Sequence, residues 1–322
     1  MKTFDYYVAR DLDAALAEYA GEKQPHLKAG GIDLVDLMKE RIVSPSAVLS
    51  IGQAKDLSYI READGGVRIG CLTTLAEIGR STLLAEKYAA LHSAAAHAAT
   101  PQVRERATVA GNLCQRPRCW YYRSADFNCL KKGGGTCYAV EGENQYHAIL
   151  GGGPCHIVHP SNTAPALVAL GARLVIANGA ARRELPIDEF FVLPSKDMGH
   201  ENVLVPGDVI AEIILPAPPR QSAAIELREK QSFDWPIAMA AAARSAGGWR
   251  LVLGAVAPVP WVCRAAGDIL GDKDVDETLA MQAAEAALAD AKPMSGNAYK
   301  VQVARTAAKR ALLKAAGKDV PA

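Results

Sequence analysis

Five cysteines fall close together in the chain: Cys114, Cys119, Cys129, Cys137 and Cys155. Thiolates are soft donors, and several in one segment suit zinc or an iron–sulfur centre. The segment is rich in Gly, Arg, Lys and aromatics and shows no helical or strand period. A structureless loop of that length needs something to order it, and metal ligation contributes folding free energy directly. Structural zinc sites favour short knuckles of the C-x2-C kind. The gaps from Cys119 to Cys129, to Cys137 and to Cys155 are long. Long gaps suit a bulkier [4Fe–4S] cluster held by four cysteines on separate arms. Buried thiols acting as small apolar side chains are the other account of the same residues. Cys114 is a fifth thiol in a four-ligand problem and is set aside. Cys71 and Cys263 stand alone and are expected to be packing residues.

Two glycine segments are the next chemical signal: Ala29-Gly30-Gly31-Ile32-Asp33 and Thr108-Val109-Ala110-Gly111-Asn112. Neither is a Walker loop, and no G-x-G-x-x-G occurs. Glycine permits positive φ and close backbone approach. Successive N–H groups in such turns make anion-binding nests, and two facing nests would suit a pyrophosphate. Glycine turns also occur with no role beyond turning.

These segments need elements to hold them. A helix is expected over 11–20, with Asp11 as cap and Gly21 as stop, and a second after the Gly30-Gly31 turn. Strands are expected over 47–51 and 67–72. Thr74 and Glu77 have capping-box spacing, so a helix starts there. A long Ala-rich helix is expected over 81–99, ended before Pro101. After the cysteine segment come a helix over 164–170 and strands over 173–177 and 210–215. Pro216-Ala217-Pro218-Pro219 is the linker candidate, since proline stiffens and isolates. Beyond it, a small-residue helix over 236–243, a strand over 251–256 and helices over 276–291 and 298–316 are expected. No internal repeat is visible.

Length and composition narrow the class. At 322 residues the chain suggests about two domains. Half the residues are apolar and 22% are charged, which excludes a disordered chain. Lys+Arg is 36 against 35 for Asp+Glu, a net charge of +1 that argues against nucleic-acid binding. No apolar run reaches membrane-spanning length, and the first residues lack the order of a secretory signal. A soluble chain is expected, cytoplasmic, or periplasmic if a partner carries the export signal.

Taken together, several motifs resemble the FAD-binding subunits of the molybdenum hydroxylases, the xanthine dehydrogenase and carbon monoxide dehydrogenase group. They are A-G-G-I-D (29–33), I-G-C-L-T-T-L (69–75), A-T-V-A-G-N-L (107–113), H-P-S-N (159–162), P-G-D-V-I-A-E-I (206–213) and S-F-D-W-P (232–236). V-A-P-V-P-W (256–261) and S-G-N-A-Y-K-V (295–301) extend the resemblance to the tail. It implies an α+β fold: a PCMH-type two-part FAD-binding domain over 1–215, with parts of about 1–55 and 56–215. A smaller C-terminal α+β domain, an antiparallel sheet plus helices, would follow over 220–322. It implies cofactor contacts from Ala29, Gly30, Gly31, Ile32, Asp33, Thr108, Ala110, Gly111, Asn112, Ser161, Asn162, Leu204 and Lys230. Asn162 stands where the family motif usually has Asp; Asn keeps one acceptor and adds a donor.

The cysteine segment, about 114–156, resembles an insertion found in a subset of that family, the 4-hydroxybenzoyl-CoA reductase and periplasmic aldehyde oxidoreductase flavin subunits. There it holds a [4Fe–4S] cluster. The resemblance assigns Cys119, Cys129, Cys137 and Cys155 as ligands. It implies an electron-transfer subunit with no organic substrate of its own. Its implied partners are a large molybdenum-cofactor subunit, a small subunit with two [2Fe–2S] clusters, and an external carrier such as ferredoxin, a quinone or NAD. Oxidative flow outward from molybdenum is the expected direction; inward flow, as in a reductive dehydroxylase, is the alternative. A stand-alone flavin oxidase and a zinc-binding assembly module are further alternatives. Arg116, Arg118, Arg123, Lys131 and Lys132 would raise the cluster potential, dock an acidic redox partner, or simply face solvent.

Overall fold

A computed structural model describes residues 1–19, 25–230 and 233–321. The expected helix stop Gly21 and Ser232, first residue of the S-F-D-W-P motif, lie outside the described residues. Three sheets organise the described residues. The first is parallel, in the order β1-β3-β2, from β1 (Asp5–Val8), β2 (His26–Lys28) and β3 (Ala47–Ser50). Helix Leu12–Tyr19 connects β1 to β2, and the Asp11 carboxylate accepts the Ala14 N–H at 2.8 Å, as its capping role requires. Helix Ile32–Lys39 starts at Gly31 and leads on towards β3.

The second sheet is antiparallel, in the order β4-β5-β8-β6-β7. Its strands are β4 (Ile60–Ala63), β5 (Gly66–Gly70), β6 (Arg173–Asn178), β7 (Ala181–Pro186) and β8 (Val209–Leu215). Val67, Ile69, Leu174, Ile176, Ile213 and Leu215 alternate along their strands onto one buried face. Between β5 and β6 the chain makes its long excursion through helices and the cysteine segment. Thr74 and Glu77 form the expected capping box on helix Leu75–Arg80. The helix expected over 81–99 is two helices, Thr82–Lys87 and Ala89–Ala96. Tyr88 leaves helical geometry between them and buries its ring while its hydroxyl donates to the Pro216 carbonyl at 2.5 Å. A tertiary hydrogen bond and a buried ring outweigh the helix preference of the surrounding alanines.

The third sheet is antiparallel, in the order β12-β11-β10-β9, from β9 (Gln221–Leu227), β10 (Ala238–Ser245), β11 (Gly248–Gly254) and β12 (Trp261–Val262). The helix expected over 236–243 is therefore strand β10. Alanine favours helices, but the run is buried on both faces between two partner strands. Ala241 and Ala243 enter the main core, whereas Ala238, Ala240 and Ala242 enter a second core beneath the C-terminal helices. This period of two is strand geometry, and small side chains let both layers pack closely. Helices Arg264–Leu270, Glu277–Ala286 and Tyr299–Ala315 complete that second layer. Among the described residues no helix is long and apolar enough to cross a membrane.

Buried polar contacts pin the start of the last helix to the cysteine segment. Lys300 is 1% exposed and donates to the carbonyls of Tyr146 (2.9 Å), His147 (3.1 Å) and Ala255 (2.8 Å). Burial pushes its ammonium down to about 7, and the three carbonyl oxygens around it oppose that by favouring the charged form. Asn297 donates to His147 and Ala148 carbonyls, and the Gly296 N–H reaches Asn144. Lys300→Met leaves the buried carbonyls of Tyr146 and Ala255 without this donor, while His147 keeps Asn297, and is expected to cost about 3 kcal/mol or more. Urea denaturation checks this; a loss below about 1 kcal/mol contradicts the pinning role.

Candidate functional site

Both glycine segments line one cavity of about 500 Å³. Gly30 fits only because it lacks a side chain: a Cβ there would sit 1.8 Å from the Arg106 carbonyl oxygen. Gly31 adopts φ 81°, caps helix Ile32–Lys39 and offers no side-chain acceptor. The first N–H groups of a helix have no intrahelical acceptor, and the helix dipole makes that end favourable for an anion. Ala29, Ile32, Asp33 and Lys28 line the same cavity. A phosphate group here would meet a glycine turn, a helix N-terminus and a lysine.

The second segment works differently from the facing nest expected. Its N–H groups are engaged within the protein. Val109 donates to Thr73 O, Ala110 to Cys71 O, Gly111 to Thr108 Oγ1 and Asn112 to Thr108 O. What it offers is close approach. Gly111 is exposed to the cavity, and a Cβ there would meet only Thr108 Oγ1 within 4 Å. Asn112 secures this segment from behind, where its Oδ1 accepts from Ser161 Oγ (2.6 Å) and Thr163 Oγ1 (2.7 Å).

The remaining expected contacts divide. Thr108, Asn112 and Asn162 line the cavity; Ala110, Ser161 and Leu204 are not among its lining residues. Ser161 acts through Asn112, and Leu204 packs at the edge of the main core. Asn162 donates to Glu226 Oε1 at 2.8 Å, so its added amide donor is in use. Asp33 is more than a wall residue. Its Oδ1 accepts from Arg118 Nη1 and Arg123 Nη2, both at 2.6 Å, and its Oδ2 accepts from the Arg116 N–H at 2.9 Å. One carboxylate thus ties the first glycine turn to the start of the cysteine segment. Sequence reasoning missed Ala99, a cavity residue at φ 43° whose carbonyl is held by Arg104 at 2.8 Å.

Cys119, Cys129, Cys137 and Cys155 line a second, small cavity with Tyr121, Tyr122, Lys131, His147 and His156. The segment is irregular apart from short turns at Trp120–Arg123 and Leu130–Lys132. Backbone N–H groups aim at the sulfurs: Tyr121 and Tyr122 at Cys119, Ala139 and His156 at Cys137, Ile157 at Cys155. Burial pushes the Cys119 thiol up to about 11. A hydrogen bond from Cys155 holds Cys137 well below the usual thiol range and raises Cys155 in turn. His147 Nε2 lies 3.2 Å from the Cys119 sulfur. Among the described residues no three His, Cys, Asp or Glu converge on a point fit for a single metal ion. Cys114 lies apart and lines the glycine cavity; burial pushes it, Cys71 and Cys263 up to about 12.

A third cavity of about 570 Å³ lies between these two. It shares Arg118 and Trp235 with the glycine cavity and Cys119 and His147 with the cysteine cavity. Lys230 lines it rather than the glycine cavity. The Arg118 guanidinium stacks 5.0 Å from the Trp235 ring centroid. His159 is buried in its wall, with Nδ1 taking the Ser161 N–H at 3.3 Å. Burial pushes this imidazole down to about 4, which favours its neutral form.

Residues 2–218 match the family model described as the FAD-binding domain in molybdopterin dehydrogenase, and 230–315 match the CO dehydrogenase flavoprotein C-terminal domain. The chain belongs to the FAD-binding subunits of the molybdenum hydroxylases. It is 33% identical to the aldehyde oxidoreductase FAD-binding subunit PaoB of Escherichia coli (strain K12) over 316 residues, 95% of this chain and 96% of that one. It is 27% identical to the carbon monoxide dehydrogenase medium chain of Hydrogenophaga pseudoflava, over 96% of each chain. The solved carbon monoxide dehydrogenase from that organism superposes with TM-score 0.74 over 98% of each chain, at 27% identity. This flavin subunit is therefore an oxidoreductase component that binds FAD, with a two-part FAD-binding domain and a C-terminal domain of the CO dehydrogenase flavoprotein type.

The basic residues of the cysteine segment are mostly paired. Arg118 and Arg123 meet Asp33, Arg123 also meets Asp36 at 3.0 Å, and Lys132 donates to the Ser124 carbonyl. Lys131 is buried, 2.6 Å from Glu201 Oε1, and Arg116 Nε lies 2.6 Å from Glu201 Oε2. No local signal marked Glu201, which lies far along the chain from both partners.

In the flavin subunit, Gly30→Ala drives a methyl group into the Arg106 carbonyl and must displace the first turn. Gly111→Val fills the open side of the second. Both variants are expected to lose most of their FAD. The FAD-to-protein ratio after desalting checks this; a ratio near that of the parent chain would show that neither turn touches the cofactor.

Proposed function

We propose that this flavin subunit carries two redox groups, FAD and a [4Fe–4S] cluster, and serves as the electron-transfer subunit of a multisubunit molybdenum hydroxylase. The carrying observation is that four cysteines share one cavity and that Arg118 and Cys119, adjacent in sequence, reach from it to the flavin side. The donor set suits a cluster: four cysteines line one cavity, and backbone N–H groups already face three of the four sulfurs, where they would stabilise ligating thiolates. Cys119, Cys129, Cys137 and Cys155 would hold it. For FAD, Ala29 to Asp33 would hold the pyrophosphate from one side and Thr108, Gly111 and Asn112 from the other.

When bound, FAD exchanges one or two electrons and the cluster exchanges one at a time, so the chain links one-electron and two-electron carriers. The protein's own part is placement. Asp33 fixes the spacing of the two binding segments through Arg118 and Arg123. His147 and His159 are buried in the wall of the space between them, and Trp120 is half-buried there. The partners we propose are a molybdenum-cofactor subunit, a small subunit with two [2Fe–2S] clusters and an external carrier. Electrons run outward in the oxidative direction.

The assembled complex, purified without oxygen, is expected to contain one FAD and four non-haem irons for each copy of this chain beyond the irons of its partners. Cys137→Ser is expected to lose those four irons and keep its FAD. Zinc in place of iron, or iron unchanged in the variant, overturns the assignment.

A further inference from the structure

The loop carrying Glu201 is built around two cations. Lys131 Nζ lies 2.6 Å from Glu201 Oε1 and donates to Met198 O at 2.9 Å. Arg116 Nε lies 2.6 Å from Glu201 Oε2 and its Nη2 donates to Gly199 O at 2.9 Å. Side-chain exposure is 1% for Lys131 and 4% for Glu201. Lys131 lines the cysteine cavity, and Arg116 lines the glycine cavity. The loop itself is held in place, since Val192 N–H donates to Glu201 O and Val203 N–H to Phe190 O, both at 3.0 Å. A Lys–Glu–Arg row thus runs from one cofactor cavity to the other.

We propose that Glu201 is a positioning residue that sets the reduction potentials of both cofactors, as the buried counter-charge shared by Lys131 and Arg116. The proposal rests on the cluster assigned above. Reduction adds an electron, so a nearby positive charge favours the reduced form and a nearby negative charge opposes it. Salt screens a buried charge poorly, so the effect survives at physiological ionic strength. With the Glu201 carboxylate between them, each cation is partly neutralised at its own cavity. Without that carboxylate, Lys131 acts at full strength beside the cysteines and Arg116 beside the flavin site. Without Lys131, Glu201 is left as an excess negative charge on the cysteine side and keeps its pairing to Arg116.

Charge therefore predicts opposite signs. Two variants, Glu201→Gln and Lys131→Met, are introduced into the complete complex, with Glu201→Asp as the charge-retaining control. Cluster potentials are read by EPR-monitored titration and flavin potentials by absorbance, alongside iron and FAD content. Glu201→Gln is expected to raise the cluster potential enough to change the reduced-to-oxidised ratio about tenfold, roughly 59 mV for one electron, and to raise the flavin potential as well. Lys131→Met is expected to lower the cluster potential and leave the flavin close to the parent value. Glu201→Asp is expected to stay near the parent on both. Shifts of the same sign, no shift, or loss of iron in both charge variants overturns the proposal and leaves the row a packing device. A parent complex without iron instead removes the cluster reading on which it rests.

Discussion

The Asp33 carboxylate is the contact on which the site depends. It sits in the first turn of the helix that follows the Gly30-Gly31 turn, and it receives Arg118, Arg123 and the Arg116 N–H. Every one of these donors lies at the entrance to the cysteine segment. The pairs are only 12–20% exposed at their side chains, so they escape most of the screening that weakens surface ion pairs. A carboxylate in the first helical turn also complements the helix dipole. The same group thereby fixes a local turn and a contact between two distant stretches of chain. A change at Asp33 would loosen the flavin turn and the entrance to the cysteine cavity together.

Around that clamp the molecule places its charges with economy. The segment looks basic when written out, with arginines and lysines from 116 to 132. Folded, those cations mostly meet Asp33, Asp36, Glu201 or backbone carbonyls. Desolvating unpaired charge is costly, so a loop this basic folds inward only when counter-charges arrive from elsewhere. Asp33 and Asp36 arrive from the helix between β2 and β3, and Glu201 from the loop after β7. The segment is thus threaded through the protein and is not a surface appendage.

What the sequence revealed follows from how local each signal is. Thr74 and Glu77, three residues apart, announced a helix start that the structure contains in full. The two glycine segments and the four clustered cysteines were legible because their residue types are rare and their neighbours close. Strand β10 was not, because its alanines carry a helix preference and its strand character comes from burial between two layers. The break at Tyr88 depends on a carbonyl at Pro216, and the role of Glu201 on partners at Lys131 and Arg116. The second glycine segment looked like a row of free donors until the carbonyls of Cys71 and Thr73 were seen to occupy them. Long-range partners leave no trace in spacing.

The alanine strand has one more consequence. Its two faces feed two different cores, one shared with the flavin-binding sheet and one with the terminal helices. The proline stretch at 216–219 therefore marks a change of sheet across packing that both sides share. Cleaved there, each fragment would present to water an apolar surface that the other covers in the intact chain.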